Sequence, residues 1–340
     1  MSQFNIHLLF SLFILSQLVL IIYFKQLEVF FNLYDAPDKI RKKHLIKTPL
    51  LGGSIIFLSL VFTCIIFLFD NSFIEKNSIF FKTNRNYLFF LISCIFMFGI
   101  GFVDDKYNLG YYTKLSLTAI VIGFLIFLDQ GISIDRIQFS FYQEVVNISI
   151  INLFFTTMCF LLFINAINMF DGIDGQVGLY SVFILFFILS LIGFNYFIIF
   201  ILISFLTFLY LNLKKKCFLG DNGTILIGFI FSYLMIKLYN QNIIYFADKI
   251  FLIMIIPGLD MLRLFAQRLV NKKNPFKGDS NHIHHLFVNQ FGKYKSIFYI
   301  QLLIITPVIL SSYINLLMIN FITTIVYFIT ITILNSAKIN

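Results

Sequence analysis

From Gly175 to Leu213 the chain reads GQVGLYSVFILFFILSLIGFNYFIIFILISFLTFLYLNL, 39 residues without an Asp, Glu, Lys or Arg. One membrane-spanning helix needs about 20 apolar residues. The run is therefore long enough for two, and Gly193–Asn195 supplies the turn between them. Its apolar residues are continuous and do not alternate with polar ones, which excludes a membrane β-barrel. This stretch predicts an all-α, membrane-embedded fold.

The rest of the chain repeats the pattern. Charge-free stretches run from Met1 to Phe24, Thr48 to Phe69, Asn86 to Val103 and Val145 to Phe170. Ser296 to Ala337 is again a double length, 42 residues with a turn at Ser311–Asn315. Weaker segments at Tyr111–Leu128, Thr224–Tyr239 and Ile244–Asp260 bring the expectation to about eleven transmembrane helices, with ten as the alternative. Of 340 residues, 59% are apolar and only 12% charged. Soluble domains carry about 25% charged residues, so a soluble enzyme and a disordered chain are both excluded. The first apolar run has no basic flank or small-residue cleavage site and reads as a retained span, not a signal peptide. The chain is expected to be one integral membrane domain over residues 1–340. Cys64, Cys94, Cys159 and Cys217 stand singly and suggest neither disulfides nor a metal knuckle.

Charge fixes the expected orientation. With eleven spans, one side receives about 25–47, 104–114, 165–178, 212–223, 263–295 and the C-terminus, which hold 19 of the 25 Lys and Arg. Cytoplasmic loops carry that excess, so the N-terminus is expected outside. The net charge of +9 then reads as contact with anionic lipid and not with nucleic acid. Ten of the sixteen acidic residues and four of the five histidines fall on the same side or at its boundary. The spans themselves are nearly bare of ionisable groups. That distribution favours an enzyme working at one interface over a lipid or ion transporter, which needs ionisable groups at mid-span.

Five motifs lie on that face. Asp35-Ala-Pro-Asp-Lys-Ile-Arg41-Lys-Lys-His44 precedes Pro49-Leu-Leu-Gly52-Gly53, a basic cluster that either contacts lipid or holds a phosphate. Asp104-Asp105 opens DDKYNLG; adjacent carboxylates imply a cation, a shared proton or a basic neighbour, or else are solvated charges ending a helix. Lys106 and Lys114 could be membrane anchors. In NAINMFDGIDG, Asn165, Asn168, Asp171 and Asp174 recur every three residues, a ladder of hard oxygen donors of the kind that suits Mg²⁺. Phe218-Leu-Gly220-Asp221-Asn-Gly-Thr224 frees the backbone at a helix N-terminus, where phosphate oxygens are favoured. Last, Asn274-Pro-Phe-Lys-Gly-Asp279-Ser-Asn-His282-Ile-His284-His285 offers three imidazoles, with His282 and His285 on one face if the segment is helical. Too few further ligands exist for zinc, and imidazolium contacts to a diphosphate fit better.

In combination these segments resemble the polyprenyl-phosphate N-acetylhexosamine-1-phosphate transferases. The five motifs occur in that family's order from residue 35 to 286. NAINMFDGIDG and HIHH are similar to the bacterial branch that uses UDP-N-acetylglucosamine and related UDP-sugars. The phospho-N-acetylmuramoyl-pentapeptide transferase branch typically carries three consecutive histidines, which this chain lacks. Gln176 stands where the family usually has Leu, and Thr224 where Ser is common.

The resemblance implies transfer of a sugar 1-phosphate from a UDP-sugar to undecaprenyl phosphate, releasing UMP, at the plasma membrane of a bacterium and at the start of a cell-envelope glycan. It implies Mg²⁺, with Mn²⁺ as a substitute, held by Asn168 and Asp221. Asp104, Asp105, Asp174 and His284 are the implied catalytic groups. Asn165, Asp171, His282, His285, Lys114 and Arg41 are the implied substrate contacts. Partners are the two substrates and the bilayer, and a homodimer is compatible. Phosphoryl transfer rests on positioning and charge neutralisation. A lipid phosphate with a second pKa of about 6 is already largely dianionic, so a strong base is unnecessary; direct and aspartyl-phosphate routes both stay open.

Overall fold

The computed structural model describes residues 3–35, 47–68, 77–275 and 281–336. Each expected apolar segment contains one helix: α1 (Gln3–Ile22), α3 (Gly52–Leu68), α4 (Asn84–Tyr107), α5 (Tyr111–Leu128), α6 (Asn152–Phe170), α7 (Gln176–Ile192), α8 (Tyr196–Leu213), α9 (Asp221–Asn240), α10 (Ala247–Val270), α12 (Lys293–Leu310) and α13 (Leu316–Ser336). Eight of these, α4, α5, α6, α8, α9, α10, α12 and α13, are long and apolar enough to cross a membrane. α1 meets the same test together with α2 (Phe24–Phe31), bent from it by 67°, while α3 and α7 are shorter apolar helices. The chain is a polytopic all-α membrane protein. Large apolar side chains such as Ile120, Phe124 and Phe127 of α5 are exposed on the outside of the bundle.

Several loop boundaries read from charge need correction. α4 continues through Asp104-Asp105, α6 through Asn165 and Asn168, and α10 runs to Val270, well past Asp260. Charges do not end these helices because their partners lie inside the protein. Two short amphipathic helices, α2 and α11 (Ile283–Phe291), occupy segments expected to be loops. Two ladders of two residues each also form, Tyr34–Asp35 with Thr48–Pro49 and Arg136–Ile137 with Val146–Asn147.

α9 is the axis of the molecule. Its whole apolar window is buried, and it packs chiefly on α4 and α6 and also on α3. Small residues permit that approach. A Cβ on Gly101 of α4 would lie 2.4 Å from Asn222 Cα, and one on Gly228 of α9 would lie 2.6 Å from Ile164 Cα of α6. The N-terminus of α9 is thereby wedged between three helices. Beside it runs the stem of the first motif: Phe218 N donates to Pro49 O at 2.9 Å, and Gly52 N and Gly53 N donate to Phe218 O and Leu219 O at 2.9 and 3.1 Å. Arg41 lies outside the described residues; the flanking 34–35 and 48–49 segments pair with each other next to this stem.

Candidate active site

The site is built on the first turn of α9. Gly220 precedes it with φ +75°, a conformation that favours glycine, and delivers Asp221 as the first helical residue. Asp105 caps this terminus from α4. Its Oδ1 accepts from Asp221 N at 2.8 Å, and its Oδ2 accepts from Asn222 N at 2.9 Å and Asn222 Nδ2 at 2.6 Å. With both oxygens so engaged, Asp105 acts as a cap that sets the direction of Asp221. Both oxygens of Asp105, expected as a catalytic group, are thus committed to the α9 terminus.

One residue earlier, Asp104 is buried and faces Lys114 of α5. The Lys114 ammonium donates to Asp104 Oδ2 at 2.7 Å and to Asp221 Oδ2 at 2.8 Å. It is thus no lipid anchor. Asn168 Nδ2 donates to Asp221 Oδ1 and, at 2.8 Å, to Thr224 Oγ1. The hydroxyl that Thr224 shares with Ser is therefore used. Asn165 sits one turn before Asn168, and with Lys114 and Asn168 it lines a cavity of ≈ 10 Å³, space for about one water.

The acidic loop after α6 closes one flank. Burial, joined by the carboxylates of Asp174, Asp221 and Asp105, pushes the Asp171 carboxyl up to about 7. Asp174 forms an ion pair with Lys293 at the start of α12, a partner not foreseen from sequence. Asn212, the lone amide near the end of α8, joins this loop to the next. Its Oδ1 accepts from Gly175 N at 2.6 Å and its Nδ2 donates to Cys217 O at 2.8 Å. An Asn buried at the end of a 39-residue charge-free run was the only available signal for it.

The histidines close the other flank. His282 is extended and caps α11, so the helical spacing expected for His282 and His285 does not apply. His282 instead stacks on His284, with ring centroids 5.3 Å apart and planes 9° apart. His284 packs on the acidic loop so closely that a Cβ on Gly172 would fall 1.8 Å from its Nε2. Burial, then the neighbouring His285 and His282, hold the His284 pKa well below the usual histidine range. In the free protein His284 is a neutral ring, which donates through one nitrogen only, in place of the imidazolium expected.

Asp104, Asp105, Asp171, Asp174 and Asp221 therefore form one acidic cluster, paired among the described residues with Lys114 and Lys293. Negative charge is in excess. No group of three His, Cys, Asp or Glu side chains among the described residues could by itself hold a metal ion.

A family model described as glycosyl transferase family 4 matches residues 87–239, from α4 through α9. An undecaprenyl-phosphate alpha-N-acetylglucosaminyl 1-phosphate transferase from Thermotoga maritima is 31% identical over 264 residues, 77% of this chain and 75% of that protein.

Proposed function

The chain belongs to glycosyl transferase family 4, and on that premise we propose that it transfers N-acetylglucosamine 1-phosphate, or a closely related sugar 1-phosphate, from a UDP-sugar to undecaprenyl phosphate. A phosphate oxygen of the lipid attacks the sugar-bearing phosphorus, and the bridging oxygen leaves with UMP. The observation that carries this reading is the Lys114 ammonium held between Asp104 and Asp221, with Asn168 alongside, at the first turn of α9. Phosphoryl transfer asks for positioned charge at one point, and that is what the motifs converge to supply.

The chain's own residues divide the work. Asp105 holds the first turn of α9 in place, and Asp104 holds Lys114. Lys114 is then set to meet a phosphate oxygen. Asn212 keeps the loops carrying Asp174 and Asp221 in register. The excess of carboxylates would repel a diphosphate that arrived without a counter-charge. The donor set fits Mg²⁺: Asp221 and Asn168 would hold it by hard oxygens, with substrate phosphates completing its shell, as this ion prefers. When bound, it would neutralise charge on the diphosphate.

The proposed topology has eleven spans, the N-terminus outside and the site on the cytoplasmic face of a bacterial plasma membrane; the placement of the basic residues supports that orientation. A phospho-N-acetylmuramoyl-pentapeptide transferase is disfavoured by HIHH and by the identity of the relative. A transporter is disfavoured by the gathering of charge at one end of α9.

The test uses the full chain in lipid nanodiscs, undecaprenyl phosphate and a panel of UDP-sugars, with UMP and the lipid product both identified. A lipid diphosphate sugar should form from one or two donors, stop on EDTA treatment and resume with Mg²⁺. Absence of product from every donor would overturn the reading; activity undiminished by EDTA would remove the metal alone.

A further inference from the structure

Asp260 lies on α10, three residues after Pro257, and its side chain is almost wholly buried. A buried carboxylate is costly unless its lone pairs are met. Here four donors meet them. Arg263 Nη2, Tyr327 OH and Ile283 N donate to Oδ1 at 2.8, 2.9 and 3.1 Å, and His282 Nδ1 lies 3.0 Å from Oδ2. Arg263 also donates to Tyr327 OH at 2.9 Å and to Asn281 O at 2.8 Å. One carboxylate thus ties α10, α13 and the start of α11 together.

The chemistry of the His282 contact is specific. Arg263 already balances the Asp260 charge, so the carboxylate stays ionised and has no proton to give. The proton on the shared hydrogen bond must therefore belong to His282 Nδ1. Nε2 then carries the lone pair of the neutral ring, and the ring's angle is set from the Nδ1 side. The ring so fixed is stacked on His284, which abuts Gly172 beside Asp171. The orientation set at Asp260 is passed, ring on ring, to the flank of the acidic cluster.

We propose that Asp260 is a positioning residue for the transfer reaction: it fixes the tautomer and angle of His282 and, through the stacked rings, holds His284 against the acidic loop. This rests on the transferase reading above. Asp260 acts through His282, since no bond joins it to the acidic cluster. Outer partners of this kind typically contribute about 10–100-fold to activity.

The test is a double-mutant cycle in nanodiscs, with kcat and KM for the preferred UDP-sugar measured on the full chain. Asp260→Asn and His282→Ala should each lower kcat by about 10–100-fold. Their combination should be no worse than His282→Ala alone, because the route through the ring is already gone. Should Asp260→Asn misfold by leaving Arg263 unpaired, Asp260→Asn with Arg263→Gln removes both charges and keeps the hydrogen bonding. That pair should show the same kcat loss and the same dependence on His282. Losses that multiply in the combination, or a variant with wild-type kcat, would overturn the proposal. Wild-type protein inactive on the whole donor panel would instead overturn the transferase reading.

Discussion

α9 carries a lysine–aspartate pair at each end. At its N-terminus Lys114 binds Asp221 at 2.8 Å and Asp104 at 2.7 Å; near its C-terminus Lys237 binds Asp129 at 2.8 Å. Distance does not distinguish them. Exposure and balance do. The far pair is sealed, both side chains 4% exposed, with one charge against one and Gly131 N completing Asp129 Oδ1 at 3.1 Å. The near pair is open, Asp221 31% exposed, and one ammonium serves two carboxylates with three more close by. A balanced, sealed pair can only hold helices together. An unbalanced, open cluster needs counter-charge from outside, and a ligand is what brings it.

The largest effect expected is all-or-none and tests whether the two ends face opposite solutions. In a cysteine-free background, a cysteine at Lys215 should be labelled by an impermeant reagent only from the cytoplasm, and one at Asn242 only from outside. Both labelled from one side would end the comparison.

Next in size is the chemistry at the open end. Asp221→Asn removes the charge but keeps the shape, and should cost about 10²–10³-fold in kcat, the scale for a lost electrostatic contact in a transition state. Its thermal unfolding midpoint should stay near wild type, because the side chain is partly solvated. A large fall in stability with kcat preserved would make Asp221 a mere tie.

The sealed end should behave in reverse. Lys237→Met strands Asp129 in the interior, and breaking a buried pair costs about 3–5 kcal/mol. Removing both charges with Lys237→Met and Asp129→Leu should recover most of that stability, since an apolar pair is often as good. Rates per folded molecule should stay within a few-fold of wild type in both. A kcat collapse in the repaired double variant would show that the far end takes part in the reaction.

The same contrast explains what could be read in advance. The apolar helices were legible because lipid demands long apolar runs, and every expected segment holds a helix. That Asp104, Asn168, Asp171 and Asp221 gather at one end of α9 was legible because carboxylates and amides stand out at the ends of long apolar runs. Roles were less so. Asp105 is identical to Asp104 in sequence terms, yet one carboxylate caps α9 and its neighbour holds Lys114. Helix rotation of one residue separates them, and no local pattern reports it. Lys293, Asn212 and the Asp260–Arg263–Tyr327 group were invisible for a related reason: their partners lie 119, 37 and 67 residues away in sequence at the widest.

The smallest effect concerns Gln176, which belongs to the open end by position and to the sealed end by environment. It starts α7 directly after the acidic loop and is fully buried, yet neither Nε2 nor Oε1 finds a hydrogen-bond partner among the described residues. Its backbone is used instead: N donates to Ile173 O at 3.1 Å and O accepts from Gln301 Nε2 at 3.0 Å. A buried amide without partners costs about 1–3 kcal/mol, so Gln176→Leu should raise the unfolding midpoint. The two readings of this position diverge on donor choice. If the amide is only a buried polar misfit, Gln176→Leu leaves the preference among UDP-sugars unchanged and kcat within about twofold, as expected of a site outside the reacting groups. If it sets sugar choice from behind the loop, the ratio of kcat/KM between two donors shifts while stability still rises. The sealed environment favours the first outcome, and measuring both quantities on the one variant decides between them.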